Sequence, residues 1–314
     1  MRMKKWTCVV GMLVCAATVY AAPVRVALMD FTDQSGGSTD ALLGGKVNTA
    51  LMADKGVFAL SKALLGKGDY VLIDRRDFMA QMQKMGAVDQ GKPSDIKPSY
   101  IQAAQALRAD AVLRGMLQSF SVGKEKVNQG GYQADFVTIS VRVMIEAVDA
   151  IDGTIMAMAE GVAKDKVRQT ANQQTELGED EMLQMMQTAI ANAVPSLIEA
   201  LSVRMEQNEA RQKVTLAVSA SENPAMVEID GILVGTTPFD SLEVYKGDHV
   251  LSVTRPGYVS ITKRLVLDGS TKIDVPMLRT DLTAEERKQI LEGADMRVYV
   301  NEGGRPDFVV QTLD

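Results

Sequence analysis

Residues 135–150, DFVTISVRVMIEAVDA, constrain the fold more than any other stretch of the chain. Val137, Ile139, Val141, Val143, Ile145 and Ala147 take every second position, with Thr138, Ser140, Arg142 and Glu146 between them. Successive side chains of a strand point to opposite faces, so this spacing makes a long strand with one apolar and one polar side. A strand of that kind needs a layer laid over its apolar face. The flanking sequence supplies the other parts. VRVALMDF (24–31) reads as a first strand, ended by a Gly/Ser/Asp loop. Thr39 or Asp40 is placed to cap a helix with Leu43, Val47, Ala50 and Leu51 on one face. YVLID (70–74) reads as a short buried strand, followed by a helix with Phe78, Met82 and Met85 in register. Residues 99–110 read as a third helix, running into a strand over 111–122. Asp152-Gly153 turns the chain into a further strand, TIMAMAEGVA. A polar stretch over 164–180 precedes a long helix with Leu183, Met186, Ile190, Val194, Leu197, Leu201 and Met205 on one stripe. Pro195 is expected to kink or break that helix near Val194. Helices packed on a mixed sheet make residues 22–202 an α/β domain, and 203–213, VRMEQNEARQK, reads as a charged helical linker.

The pattern changes at Val214. Short alternating runs are separated by Asn223-Pro224, Asp230-Gly231, Thr237-Pro238, Lys246-Gly247-Asp248, Arg255-Pro256-Gly257 and Asp268-Gly269. This spacing predicts a small all-β module over 214–278. Within it, VEIDGILVGTTPF reads as a β-hairpin whose Asp230-Gly231 supplies the two positive-φ positions of a type I′ turn. In the tail, 279–314, Thr283 and Glu286 are spaced as a capping box for a helix over 283–292, and MRVYV and DFVVQTL read as a last strand pair.

The first residues are of another kind. Arg2, Lys4 and Lys5 precede an uncharged apolar run over 6–19, and Val19-Tyr20-Ala21 has the small-x-small form of a cleavage site. The run is shorter than the ~20 residues that span a bilayer. The expectation is a signal peptide over 1–21. Both cysteines, Cys8 and Cys15, lie inside it, so the mature chain has no thiol for a disulfide, metal site or nucleophile. Val14 before Cys15 makes a poor lipidation motif. Removing Arg2, Lys4 and Lys5 from 34 basic residues leaves 31 against 40 acidic ones, a formal charge of −9. An acidic exported chain is a poor nucleic-acid binder, and none is expected as a partner.

Catalytic constellations are not found. His249 is the single histidine, and without cysteines it makes no ordinary zinc site; it reads as an edge histidine beside a turn. Gly45-Lys46 and Gly66-Lys67 both lack the remaining residues of a phosphate loop. Asp74, Arg75, Arg76 and Asp77 read as a helix cap with surface ion pairs rather than acid–base machinery. Met156, Met158, Met182, Met185 and Met186 read as adaptable core packing. No cofactor, no metal and no enzymatic activity are expected.

Two resemblances follow from these residues. The pattern of Asp230-Gly231, Gly235, Thr237-Pro238, Gly247, His249 and Gly257-Tyr258 over 225–267 resembles a PEGA domain. The resemblance implies a small non-enzymatic β domain of exported or surface-associated proteins, with Asp230, Gly231, Gly235, Pro238, Gly247, Gly257 and Tyr258 at its structural turns. The succession RVALMDF, YVLIDRRDF, ALRADAVLRG and ISVRVMIEAVDAIDGTI over 24–201 resembles the curli assembly and secretion family (CsgG-like). The same domain type resembles periplasmic parts of outer-membrane lipoproteins that activate cell-wall synthases. A curli channel carries membrane hairpins. The corresponding loops here, GKEKVNQGGYQA and KDKVRQTANQQTELGED, lack the alternating apolar character of barrel strands. The expectation is therefore a non-enzymatic periplasmic protein that binds or scaffolds outer-membrane or cell-wall assembly. Its expected partners are envelope proteins or cell-wall material, with self-association and outer-membrane association both allowed. The alternative is a subunit of an outer-membrane secretion channel for an exported polymer or fibre.

Overall fold

The structure is a computed structural model. It describes residues 23–36, 48–67, 69–85, 88–89, 92–93, 99–129, 132–169, 179–281 and 309–312. The signal-peptide expectation over 1–21 and the capped helix over 283–292 fall outside the described residues.

The first half runs β1 (Val24–Leu28), β2 (Thr32–Asp33), α1 (Thr49–Leu65), β3 (Tyr70–Leu72), α2 (Arg75–Met85), β4 (Val88–Asp89), β5 (Lys92–Pro93), α3 (Tyr100–Ala106), β6 (Ala111–Gln129), β7 (Tyr132–Asp149), β8 (Ile155–Gln169) and α4 (Glu179–Glu209). The main sheet has the order β3-β1-β6-β7-β8, with β2 paired to β6. The β1–β3, β1–β6 and β2–β6 pairs are parallel, and β6–β7 and β7–β8 are antiparallel. This is the mixed sheet that the alternation leads one to expect. The alternating set of β7 is buried throughout and faces α1 and α4. On the other side α2 and α3 cover Ala27, Val112 and Ala150 through Phe78, Ala103 and Ala104.

α4 runs through Pro195 without the expected break. Pro195 and Ser196 lie on the exposed side. The backbone bond that proline removes is therefore on the solvent side, while Val194 and Leu197 stay in the core. The helix comes close enough to the sheet that Gly161 of β8 faces the carbonyl of Ala189 with no room for a Cβ.

Two further expectations are corrected. The first helix is capped by Asn48, whose side chain accepts the Leu51 N–H at 3.0 Å, and not by Thr39 or Asp40, which lie outside the described residues. Its buried face carries Met52, Ala53, Val57, Leu60 and Leu64, and Leu51 is turned to solvent. Moreover, 123–129, 132–134 and 164–169, read as polar loops, continue β6, β7 and β8 as strands. Ladder hydrogen bonds do not require apolar side chains. Here cross-strand pairing takes their place, as Lys166 binds Glu125 at 2.6 Å and lies 4.6 Å from the centroid of the Phe136 ring.

The second half runs β9 (Lys213–Ala220), β10 (Met226–Ile229), β11 (Ile232–Thr236), β12 (Phe239–Tyr245), β13 (Gly247–Thr254), β14 (Ile261–Leu267), β15 (Thr271–Val275) and β16 (Val309–Thr312). Two four-stranded sheets, β11-β10-β13-β14 and β12-β9-β15-β16, share one core. The tail strand β16 pairs with β15; MRVYV lies outside the described residues. α4 ends at Glu209 and β9 begins at Lys213, so the stretch 203–213 is mostly the end of the core helix.

Candidate interaction site at the domain junction

The turn residues of the β-module lie where the chain reverses. Asp230 (φ 53) and Gly231 (φ 82) join β10 to β11 with Ile229 opposite Ile232, a two-residue hairpin loop. Asp230 does a second job. Its carboxylate accepts the Val250 N–H at 2.8 Å and contacts His249 Nδ1 at 2.7 Å. The other ring nitrogen of His249 lies 2.8 Å from the Tyr245 carbonyl, so the imidazole ties the β10–β11 turn to the β12–β13 turn. Gly257 (φ 82) sits in the turn closed by the Tyr258 N–H on the Arg255 carbonyl. Tyr258 stacks beneath the Arg255 guanidinium and bridges to Arg279. Pro238 follows a cis bond, Gly247 opens β13, and Gly235 lies against Gln102 of α3.

That last contact leads to the site that sequence reasoning missed. α3 belongs to the α/β domain, yet its Ile101 is buried in the core of the β-module. Ser99 caps α3 by accepting the Gln102 N–H at 3.2 Å, and its hydroxyl donates to the Leu233 carbonyl at 2.9 Å. Gln102 Oε1 accepts the Thr236 N–H at 3.0 Å. Gln105 meets both backbone groups of Glu243, accepting its N–H at 2.8 Å and donating to its carbonyl at 2.9 Å. A side-chain amide here behaves as one more rung on the edge strand β12. Gln105→Ala leaves those backbone groups to water at a half-exposed edge. A loss of about 1 kcal/mol is expected, read by chemical denaturation.

Beneath α3 lies a buried polar knot. Asp149, 2% exposed at the end of β7, takes three donors. The Ile151 N–H and the Tyr245 hydroxyl each donate at 2.7 Å, and so does the Asn208 side-chain amide of α4. Arg211 lies over the Tyr245 ring, 3.4 Å from its centroid, and pairs with Asp152 at 3.2 Å. Burial pushes the Asp149 carboxyl above the usual carboxylate range, against the pull of its donors. Burial and the neighbouring carboxylate push the Tyr245 phenol well above its ordinary value. An acid whose folded pKa is raised contributes stability that is complete below its unfolded value, about 4, and is lost as pH rises through the folded value. Asp149→Asn is therefore expected to flatten the fall of stability with rising pH in the weakly acidic range. Denaturation midpoints at a series of pH values check it by the change of slope, not by their absolute level.

A cleft of about 720 Å³ opens beside this knot, between the start of β1, the end of α4 and β12. Its charges are mixed, with Arg108 and Lys213 opposite Asp110, Glu209 and Glu243. Asp110 is engaged by the Arg25 N–H at 2.8 Å.

The sequence-predicted acid–base candidates lie elsewhere. Asp74 caps α2, accepting the Arg76 N–H at 2.8 Å. The hydrogen-bonded Arg76 side chain holds its carboxyl below the usual range. Arg75 pairs with Asp30. All four of these side chains are 41% exposed or more, a surface arrangement of a helix cap with ion pairs. Met182, Met185, Met186 and Met156 are core residues, while Met158 is exposed. Among the described residues no group of three or more His, Cys, Asp or Glu is placed to hold a metal ion, and no helix is long and apolar enough to cross a membrane.

No curated protein sequence matches the chain. Among solved structures, the chain is similar to a lipoprotein of Neisseria meningitidis at 13% identity, over 58% of this chain and 99% of that one, with a TM-score of 0.31. It is similar to the C-terminal domain of LpoB from Salmonella enterica at 16% identity, over 49% and 88%, with a TM-score of 0.28. It is also similar to the PelC dodecamer from Paraburkholderia phytofirmans at 12% identity, over 57% and 91%, with a TM-score of 0.26. The family match falls on the second half, where residues 213–280, carrying the hairpin, the His249 tie and the strands that receive α3, match the PEGA domain.

Proposed function

We propose that this is a non-enzymatic protein of the cell envelope, exported to the periplasm, in which the α/β domain holds a PEGA module in one fixed orientation for assembly at the outer membrane or cell wall. The observation that carries the reading is the junction. Ile101 sits inside the core of the β-module, and Ser99, Gln102, Gln105 and Asp149 bond across the boundary. Buried apolar area and satisfied polar bonds of this kind make two domains move as one. A scaffold gains from that rigidity, because its binding surfaces keep a constant spacing. The signal-type N-terminus, the absence of thiols beyond residue 21 and the acidic balance support an envelope location. The finer reading, assembly of the curli type, rests on the motif succession over 24–201 alone.

Envelope fractionation of the full-length chain, with a carbonate wash of the membranes, tests the proposal. Release with the soluble periplasm is the expected result. Retention in the outer membrane after the wash would transfer the reading to a channel subunit or a lipid-anchored protein. Cys15→Ser separates those two, since it releases only the anchored form.

A further inference from the structure

α1 has two faces of unequal clarity. Its buried side is built of small and medium residues against α4 and the sheet. Its solvent side carries Leu51, Phe58 and Leu65, which are 40%, 70% and 63% exposed, with Asp54 and Lys62 exposed between them. At about 100° per residue these five positions fall within an arc of about 80°. Phe58 is the most exposed large hydrophobic side chain among the described residues and belongs to none of their buried clusters.

The order along this stripe is symmetric about Phe58. Leu51 and Leu65 lie seven residues to either side, and Asp54 and Lys62 lie four residues to either side. The apolar positions mirror each other, and the charged positions mirror with opposite sign. We propose that α1 is the contact through which two copies of this chain associate, as an antiparallel helix pair about a two-fold axis at Phe58. In that arrangement Phe58 meets Phe58 of the second copy, Leu51 meets its Leu65, and Asp54 meets its Lys62. Two-fold symmetry then makes each of the last two contacts twice.

Charge complementarity selects the occupant and its direction. Eight residues apart on one helix, Asp54 and Lys62 are out of reach of one another. Neither has an ion-pair partner among the described residues. A parallel pairing would set Asp54 on Asp54 and Lys62 on Lys62, and like charges in register oppose it. A lipid surface would leave the acidic and basic positions without their match. One helix pair buries an area at the low end of specific interfaces, so the association is weak and concentration-dependent, with a Kd on the order of 10 μM. The pairing does not depend on what the PEGA module binds, so it stands or falls separately from the proposed function.

The test uses the mature chain, residues 22–314, by sedimentation equilibrium across the micromolar range. The unmodified chain is expected to dimerise. Asp54→Lys or Lys62→Asp alone is expected to weaken the dimer roughly tenfold or more by placing like charges together. The doubly exchanged D54K/K62D chain is expected to recover it, because both cross pairs return with their signs swapped. Phe58→Asp is expected to abolish it. The mature chain has no cysteine, so Phe58→Cys carries one thiol, placed against its own copy at the axis. Oxidation is expected to link it into covalent dimers, while Ser196→Cys, on the exposed side of α4, still associates through α1 but forms no disulfide-linked dimer. All these positions face solvent, and circular dichroism should show each variant folded. A chain that is monomeric at a hundred micromolar overturns the proposal. So does a dimer indifferent to the charge exchange, which would lie on another surface. So does binding of anionic phospholipid vesicles that Phe58→Asp removes from a monomeric chain.

Discussion

Gly161→Ala is expected to lower stability by about 3 kcal/mol or more. For a chain of 314 residues that shift moves the melting temperature down by roughly 5 °C. A Cβ built at Gly161 would lie 1.9 Å from the Ala189 carbonyl oxygen, 2.9 Å from its carbon and 3.0 Å from Ala193 Cβ. The first two obstacles are backbone of α4, so no rotamer change relieves them. The helix would have to lift from β8, taking Met186, Ile190, Ala193 and Leu197 away from contacts that bury them completely. Gly123→Ala is the matched control. It lies in the polar part of β6, its nearest neighbour would be the Thr138 carbonyl at 3.9 Å, and a change within about 0.5 kcal/mol is expected. Thermal melts of both variants check the pair. Equal losses at the two sites would mean that glycine itself, not the approach of α4, sets the cost.

The second large effect is expected at the junction. Tyr245→Ala removes a ring that is 3% exposed, the hydroxyl donor to Asp149 and the surface on which Arg211 lies. The loss is expected at about 3–5 kcal/mol, the range for deleting a large buried aromatic. Tyr245→Phe keeps the ring and isolates the hydroxyl. It leaves the buried Asp149 carboxyl one donor short and is expected to cost about 1–3 kcal/mol. The alanine variant should also change the shape of the transition, because the knot joins two cores. Calorimetry is expected to show one cooperative transition for the unmodified chain and two for Tyr245→Ala. A single transition in the variant would mean that Ile101 and the α3 amides couple the domains without the knot.

The sequence was most legible where one periodicity ran uninterrupted. β7 and α4 each carry a single apolar stripe of strong hydrophobes, and both stand where the spacing puts them. α1 departs from its expected face because Ala50 and Leu51, expected inside, are exposed. Leu51, Phe58 and Leu65 point outward, while the inward face is made partly of Ala53, Gly56 and Ala59, which contribute little to any apolar pattern. The polar ends of β6, β7 and β8 were read as loops for the converse reason. Alternation reports burial, and a strand held by its ladder and by Lys166–Glu125 pairing has no buried side to report. The turns of the β-module were visible because Asp-Gly and Pro-Gly pairs state a backbone requirement locally. The junction was not visible, because Gln105 and Glu243 are 138 positions apart and Asp149 and Tyr245 are 96 apart. An aspartate ending the apolar alternation of β7 was the signal available, since a buried carboxylate needs donors from somewhere.

The position of Pro23 has a mechanical consequence. The chain enters β1 at the rim of the same cleft that β12 borders, so the leading end of the first domain and the second domain meet on one side of the molecule. A pull between that end and the PEGA module would therefore load the Gln105 and Asp149 contacts together with the pairing of β1 to β6 and of β6 to β7. The entry of the first domain and the edge of the second are thus set within one short load path, with the junction contacts between them.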